Sequence, residues 1–274
     1  MGLRIATNVA SLSTQRQLAR TNEKQAKQFQ RIASGQRITS AGDDAAGLSI
    51  SENMRAQIRS TKQAERNAND GISLVQVAEG GMFEASNILV RMRELAIQAA
   101  SDTIGDTERG FIDQEIQSLK GEIDRIANVT EFNGTPLLSG GEDLELQVGI
   151  RSGEDSRVIF RVSENNLSTD SLGISGVSTE SKDTSRDMLD AIDNAFDQLN
   201  AGRARLGAMQ NKLQSTVNNL RISSENLSAA RGRIADTDIA AATSKLIQQN
   251  ILSQAGISVL SQANSEPTKA LQLI

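Results

Sequence analysis

Asp43 and Asp44 put two carboxylates side by side, an arrangement able to attract a cation. At the start of a helix the same pair offsets the positive end of the macrodipole, which is the simpler reading. Gly140-Gly141 and Ala33-Ser-Gly-Gln-Arg37 hint at a phosphate loop, but neither runs into the Gly-Lys-Ser/Thr that grips phosphate. Gly47-Leu-Ser-Ile-Ser51 starts like a nucleophile elbow yet lacks the closing glycine. Arg91, Arg93 and Glu94 form a charged run whose simplest role is a solvated face with local pairing. With no Cys and no His in 274 residues, a thiol nucleophile, an imidazole base, a disulfide and the usual zinc site are all excluded. Carboxylate, Lys and Ser chemistry remain open, but the expectation is a non-enzyme without metal or cofactor. A net charge of −5 without basic clusters also argues against nucleic acid, whose phosphates reward Lys and Arg.

What these side chains decorate is a set of long apolar stripes. Aromatics make up 2% of the chain, so a core must come from Ala, Leu, Ile, Val and Met, the palette of helix seams. Residues from Ile5 to about Ile38 read as a helix, interrupted by the Gly and Ser of 33–42, with Ser40 or Asp43 placed to cap the next one. From Asp43 to about Ala100 one heptad phase holds through Met54, Ile58, Ala68, Ile72, Val75, Met82, Leu89, Ala96 and Ala100. This predicts one helix about 85 Å long. Gly71, Gly80 and Gly81 lie inside it at about 1 kcal/mol each against Ala, which tertiary packing must offset. Ile112, Ile116, Leu119, Ile123 and Ile126 form a third seam, which ends at the turn signal Asn133-Gly134-Thr-Pro136.

The period then changes from helix to strand. Leu144, Leu146, Val148 and Ile150, then Val158, Phe160 and Val162, alternate at period two and predict a β-hairpin over about 143–163. The polar stretch of about 165–183 reads as a loop. From Ser185 to the end the pattern is helical, with Ile192, Phe196, Leu199, Leu206, Leu213, Val217, Leu220, Leu227 and Ile234 in one phase. Arg203, Gln210, Ser224 and Arg231 fill the other seam positions, where polar residues can set register. The expected fold is therefore mainly α: a long antiparallel helical bundle or coiled-coil rod with a small β-hairpin, its N- and C-terminal segments paired.

Both ends are unusually apolar. Ile5, Val9, Leu12, Phe29 and Ile32 mark the first, and Leu246, Ile251, Leu252, Val259, Leu260, Leu271 and Leu273 the last. Two readings stand: the ends cover each other within one chain, or they stay uncovered until other copies bury them. No secretory signal precedes the first stripe, and no stretch reaches the ~18–20 apolar residues that a membrane helix needs.

Several blocks carry a family resemblance: Ile5-Ala-Thr-Asn-Val-Ala-Ser-Leu12, Ser34-Gly-Gln-Arg-Ile-Thr-Ser-Ala-Gly-Asp-Asp-Ala-Ala-Gly-Leu48, and Asn67-Ala-Asn-Asp-Gly-Ile-Ser-Leu-Val-Gln76. They continue with Arg91-Met-Arg-Glu-Leu-Ala-Ile-Gln98, Glu131-Phe-Asn-Gly134, Glu225-Asn-Leu-Ser-Ala-Ala-Arg-Gly-Arg-Ile234 and Gln254-Ala-Gly-Ile-Ser-Val-Leu-Ser-Gln-Ala-Asn264. In this order the chain resembles bacterial flagellin along nearly its whole length, in a short form without large variable outer domains.

The resemblance implies an exported subunit that self-assembles into the extracellular flagellar filament. The inner coiled coil would comprise residues 1–42 and 234–274, disordered in the monomer and folded in the polymer, and the second, rod-like domain 43–233. Implied partners are other copies of the chain, a filament cap protein, hook-associated proteins, a chaperone on the C-terminal segment and the type III export apparatus. Arg91, Leu95, Gln98 and Glu115 match a patch that packs between subunits and that an innate receptor of the Toll-like class reads. A hook–filament junction protein is a neighbouring alternative. A cytoplasmic helical scaffold is a further one, which predicts ordered, protected ends in the isolated chain.

Overall fold

The computed structural model describes residues 7–271, and side chains as far as residue 266. Five helices carry the fold: α1 (Val9–Ser34), α2 (Ala45–Ala99), α3 (Asp106–Val129), α4 (Lys182–Ala235) and α5 (Ile239–Leu271). Four short strands lie between α3 and α4. β1 (Glu131–Phe132) and β2 (Thr135–Pro136) close over Asn133 and Gly134, both with positive φ, 52° and 77°. β3 (Leu144–Gln147) and β4 (Arg157–Phe160) form the expected antiparallel hairpin. Its register sets Leu144 opposite Phe160 and Leu146 opposite Val158, so the period-two apolar residues share one face.

Two compact units divide the chain, one made of residues 1–58 and 225–274, the other of 59–224. The expected divisions at 42/43 and 233/234 lie just before α2 and in the last turn of α4, both within the first unit. Both helices run on without interruption, so a loop in the chain and a change of packing need not coincide. The C-terminal block is also two helices rather than one. Thr237 donates its backbone N–H to Gly35 at 2.9 Å, and Asp238 caps α5 by accepting from Ala241 at 3.1 Å.

In the second unit α2, α3, α4 and the hairpin share one core. Met82, Leu89 and Met92 of α2, Ile116 and Ile123 of α3, and Met188 and Ile192 of α4 are fully buried. Phe160, at the end of β4, is the one phenylalanine among the described residues that is fully buried. Arg109 closes the turn from α2 to α3. Its guanidinium donates to the carbonyls of Ala99 (2.9 Å) and Ser101 (3.0 Å) and pairs with Asp106 at 2.8 Å.

The segment read as a loop, about 165–183, has almost no regular structure and is tied down. Asp124 accepts from the Thr169 N–H and hydroxyl (2.8 and 2.9 Å), and Asp113 from those of Thr179 (2.8 and 3.2 Å). Lys120 donates to the carbonyls of Ser175 and Val177. Its burial pushes the ammonium pKa down, partly offset by Asp113. Leu167, Leu172 and Ile174 are buried in the core. Residues 113, 120 and 124 share one face of α3, so three polar side chains hold a strap without regular structure.

The glycines of α2 separate into two kinds. A Cβ at Gly81 would lie 2.7 Å from both Leu138 Cδ1 and Thr130 Oγ1, and one at Gly71 2.6 Å from Leu146 Cδ1, whereas one at Gly80 would meet nothing within 4 Å. Tertiary packing therefore accounts for Gly71 and Gly81 but not for Gly80. Gly80→Ala is expected to stabilise the second unit by about 0.5–1 kcal/mol in urea denaturation, and Gly81→Ala to lose that gain. Equal stabilisation by both would mean that Thr130 and Leu138 move aside freely.

Candidate assembly surfaces

In the first unit α1 and α5 pair, and the seam between them is polar. Asn8 donates to the Ala263 carbonyl and the Ser11 hydroxyl to Asn264 Oδ1, each at 2.7 Å. Ser253 bonds Asn22 at 3.1 Å, and Gln25 bonds Asn250. Ser11, Thr21, Ala242 and Ala263 are buried, and Gly256 sits where a Cβ would lie 3.3 Å from Leu18. Small side chains let the helices approach, and amides and hydroxyls set their register.

The large apolar side chains largely lie elsewhere. Val9 is 61% exposed, Phe29 64% and Ile251 61%, while Leu12, Leu252 and Val259 are also exposed. Ile32, Leu246 and Leu260 are half-buried. Ile5 and Leu273 lie outside the described residues, as does the Leu271 side chain. The ends do pair within the chain, yet six of the named side chains remain in solvent.

A knot of polar contacts holds the turn from α1 to α2. Asp43, its side chain 3% exposed, pairs with Lys27, lies 3.8 Å from Arg31 and accepts from the Thr39 N–H (3.2 Å) and hydroxyl (3.0 Å). The Lys27 ammonium, then the Thr39 donors, hold its carboxyl well below the usual carboxylate range. Asp44, rather than Ser40 or Asp43, caps α2 by accepting from Gly47 at 2.8 Å. The two carboxylates thus serve separate partners. Among the described residues no group of three or more acidic side chains could hold a metal ion. Arg37 ties this turn to the end of α4. Its guanidinium donates to the Ile234 carbonyl (2.7 and 3.1 Å) and its N–H to Ala235 (2.7 Å). The Ser34–Gly42 breakers concealed this role of Arg37, and only its place between the two helix ends reveals it.

On the second unit the sequence-matched patch is brought together only in part. Arg91 donates to Glu115 at 2.8 and 3.1 Å and pairs with Glu94 at 3.3 Å. Glu115 keeps the Arg91 guanidinium more firmly charged. Gln98 is exposed, but Leu95 is 3% exposed and belongs to the core with Met92, Ala96 and Ala99. The reason is helical phase: on α2, 92, 95, 96 and 99 face inward, leaving 91 and 98 at the rim.

Residues 5–143 match the family model of the bacterial flagellin N-terminal helical region, and residues 189–274 that of the bacterial flagellin C-terminal helical region. A flagellin of Halalkalibacterium halodurans is 41% identical over 97% of this chain and 98% of its own. The chain belongs to the bacterial flagellin family. A crystal structure of Bacillus cereus flagellin aligns with a TM-score of 0.51 at 32% identity, covering 61% of this chain and 94% of that one. A putative flagellar hook-associated protein of Vibrio parahaemolyticus aligns at 0.58 over 71% of this chain and 100% of its own, but at 16% identity, which speaks for the fold alone. Within the flagellin family this chain is a structural subunit of the extracellular flagellar filament. The family is a structural one, in keeping with the missing Cys and His.

Asp43 gives a prediction with a definite sign. A carboxylate whose folded pKa is depressed stabilises fully above its unfolded value of about 3.9, and that contribution drains away as pH falls further. Asp43→Asn should therefore lower the melting temperature at pH 7, and the gap to the native chain should narrow towards pH 3. A gap of constant size across this range would show that the ion pair is not its source.

Proposed function

We propose that the chain polymerises by burying the outward apolar faces of α1 and α5 against other copies of itself. The observation that carries this reading is the placement of Val9, Leu12, Phe29, Ile251, Leu252 and Val259 on the outside of an otherwise polar helix pair. Covering one such side chain is worth about 1.5–3 kcal/mol. The α1–α5 seam itself buries mostly hydroxyls and alanines, so little apolar burial offsets the ordering of two long helices in a single copy. The helices therefore gain most of their stability on association, as segments that fold on binding do.

In this reading residues 1–42 and 234–274 form the inner coiled coil, with Ile5, Ile32, Leu246, Leu260, Leu271 and Leu273 adding to its contacts, and 43–233 the surrounding domain. Export proceeds through the flagellar apparatus, with a chaperone on the C-terminal segment. Growth takes place beneath a cap protein, on a base of hook-associated proteins. Arg91, Gln98 and Glu115 supply a packing patch between subunits. A Toll-like receptor would meet these three side chains on free monomer, with Leu95 supporting them from within.

The test is to add filament seeds to purified chain and image the product. Continuous filaments are expected, whereas short rings or inert monomer would support the junction role. Ile251→Asp should raise the concentration needed for growth by at least about tenfold, since one buried side chain is worth more than the 1.4 kcal/mol of a decade. The second unit should melt unchanged. Filaments of normal length from Ile251→Asp would refute the contact.

A further inference from the structure

Helix α4 carries surfaces of opposite sign within the second unit. Over its first four turns Asp183, Asp187, Asp190, Asp193 and Asp197 recur three and four residues apart, so they share one face, and all are exposed. Asp193 pairs with Arg93 at 2.9 Å and Asp183 with Arg186 at 3.6 Å. Among the described residues Asp187, Asp190 and Asp197 have no ion pair. Val90 and Ile97 are exposed on the face of α2 that carries Arg93, so the acidic ridge has apolar neighbours.

Further along α4, Arg205 and Lys212 meet Arg157 and Arg161 from the hairpin around a groove of about 330 Å³. The carboxylates here are Glu164, bonded to Arg161 at 2.8 Å and 3.6 Å from Arg205, and Glu145, 2.9 Å from Arg157. Four cations against two carboxylates leave the groove positive, and Lys212 has no ion pair among the described residues. Exposed Ile159 contributes apolar surface. Asn165 also lines the groove and is 5% exposed. Its Nδ2 donates to the Arg161 carbonyl at 2.8 Å, while its Oδ1 has no hydrogen-bond partner.

We propose that the acidic ridge of one copy docks in the basic groove of the next. This rests on the filament reading and names an electrostatic contact within it. Faces of opposite sign that meet offset the long-range repulsion between copies that each carry −5, and such a pairing also sets orientation and register. The ridge extends about 21 Å along its helix, and the four cations are spread over α4 and the hairpin, so the match is to an extended row of carboxylates rather than to a small anion.

Charge exchange tests it. Arg205→Glu with Lys212→Glu should slow elongation of native seeds by about tenfold or more at low salt. The triple change Asp187→Lys, Asp190→Lys and Asp197→Lys should do the same, and a chain carrying both sets should regain most of the rate. Lys212→Glu alone, which breaks no pair within the copy, should slow growth several-fold with unchanged melting. Native-like elongation by the groove variants overturns the proposal, and so does failure of the combined chain to recover. If the groove variants elongate normally but lose retention on heparin, the groove serves an external acidic polysaccharide and the proposal is wrong. Failure of the unaltered chain to extend seeds would remove the filament reading, and this inference with it.

Discussion

The seam between α1 and α5 is closed largely by amides, hydroxyls and small side chains, with a few half-buried aliphatics, and many of the larger apolar residues of both helices face outward. A helix pair normally turns its large side chains inward, because burial is the main favourable term in folding. Here Ser11, Thr21, Ala242 and Ala263 occupy the inside, while Phe29, Ile251 and Val259 stand in water. Such a pair buries little apolar surface by itself and leaves apolar side chains free to be covered.

The second unit follows the opposite rule. Its large side chains are inside, its strap is pinned by Asp113, Lys120 and Asp124, and the turn between α2 and α3 is clamped by Arg109. Ions mark its outside instead: Arg91 with Glu115, Arg93 with Asp193, Lys182 with Asp102. Exposed pairs of this kind contribute little to stability, and what they do fix is the orientation of the side chains they join.

Much of this was legible in the residues. The heptad phase through Val75, Met82, Leu89 and Ala96 marked α2 as one helix despite its glycines, because a seam repeated over several heptads outweighs local propensity. Alternation at Leu144, Leu146, Val158 and Phe160 marked the hairpin and its inner face. What periodicity could not show was polar and long-range. Arg37 reaching Ile234, Lys27 holding Asp43 and Asp124 holding Thr169 each join residues far apart in the chain. Such contacts leave no periodic trace. The 165–183 segment is a loop, as its polar composition indicates, but its anchoring was hidden because its few apolar residues, Leu167, Leu172 and Ile174, fall on no regular spacing. Leu95 looked like surface because it belongs to a recognisable motif, but helical phase placed it in the core.

The chain has no cysteine, so a single one introduced at position 29, 251 or 259 reports on that position alone. The most direct measurement is the rate of maleimide labelling at these positions in free subunit and in assembled filament. Rapid labelling of all three is expected in the free chain and strong protection in the filament, with a cysteine at the exposed Ser152 labelled equally in both. Equal labelling of positions 29, 251 and 259 in the two states would contradict that expectation, because the outward apolar faces of α1 and α5 would then not be what assembly covers.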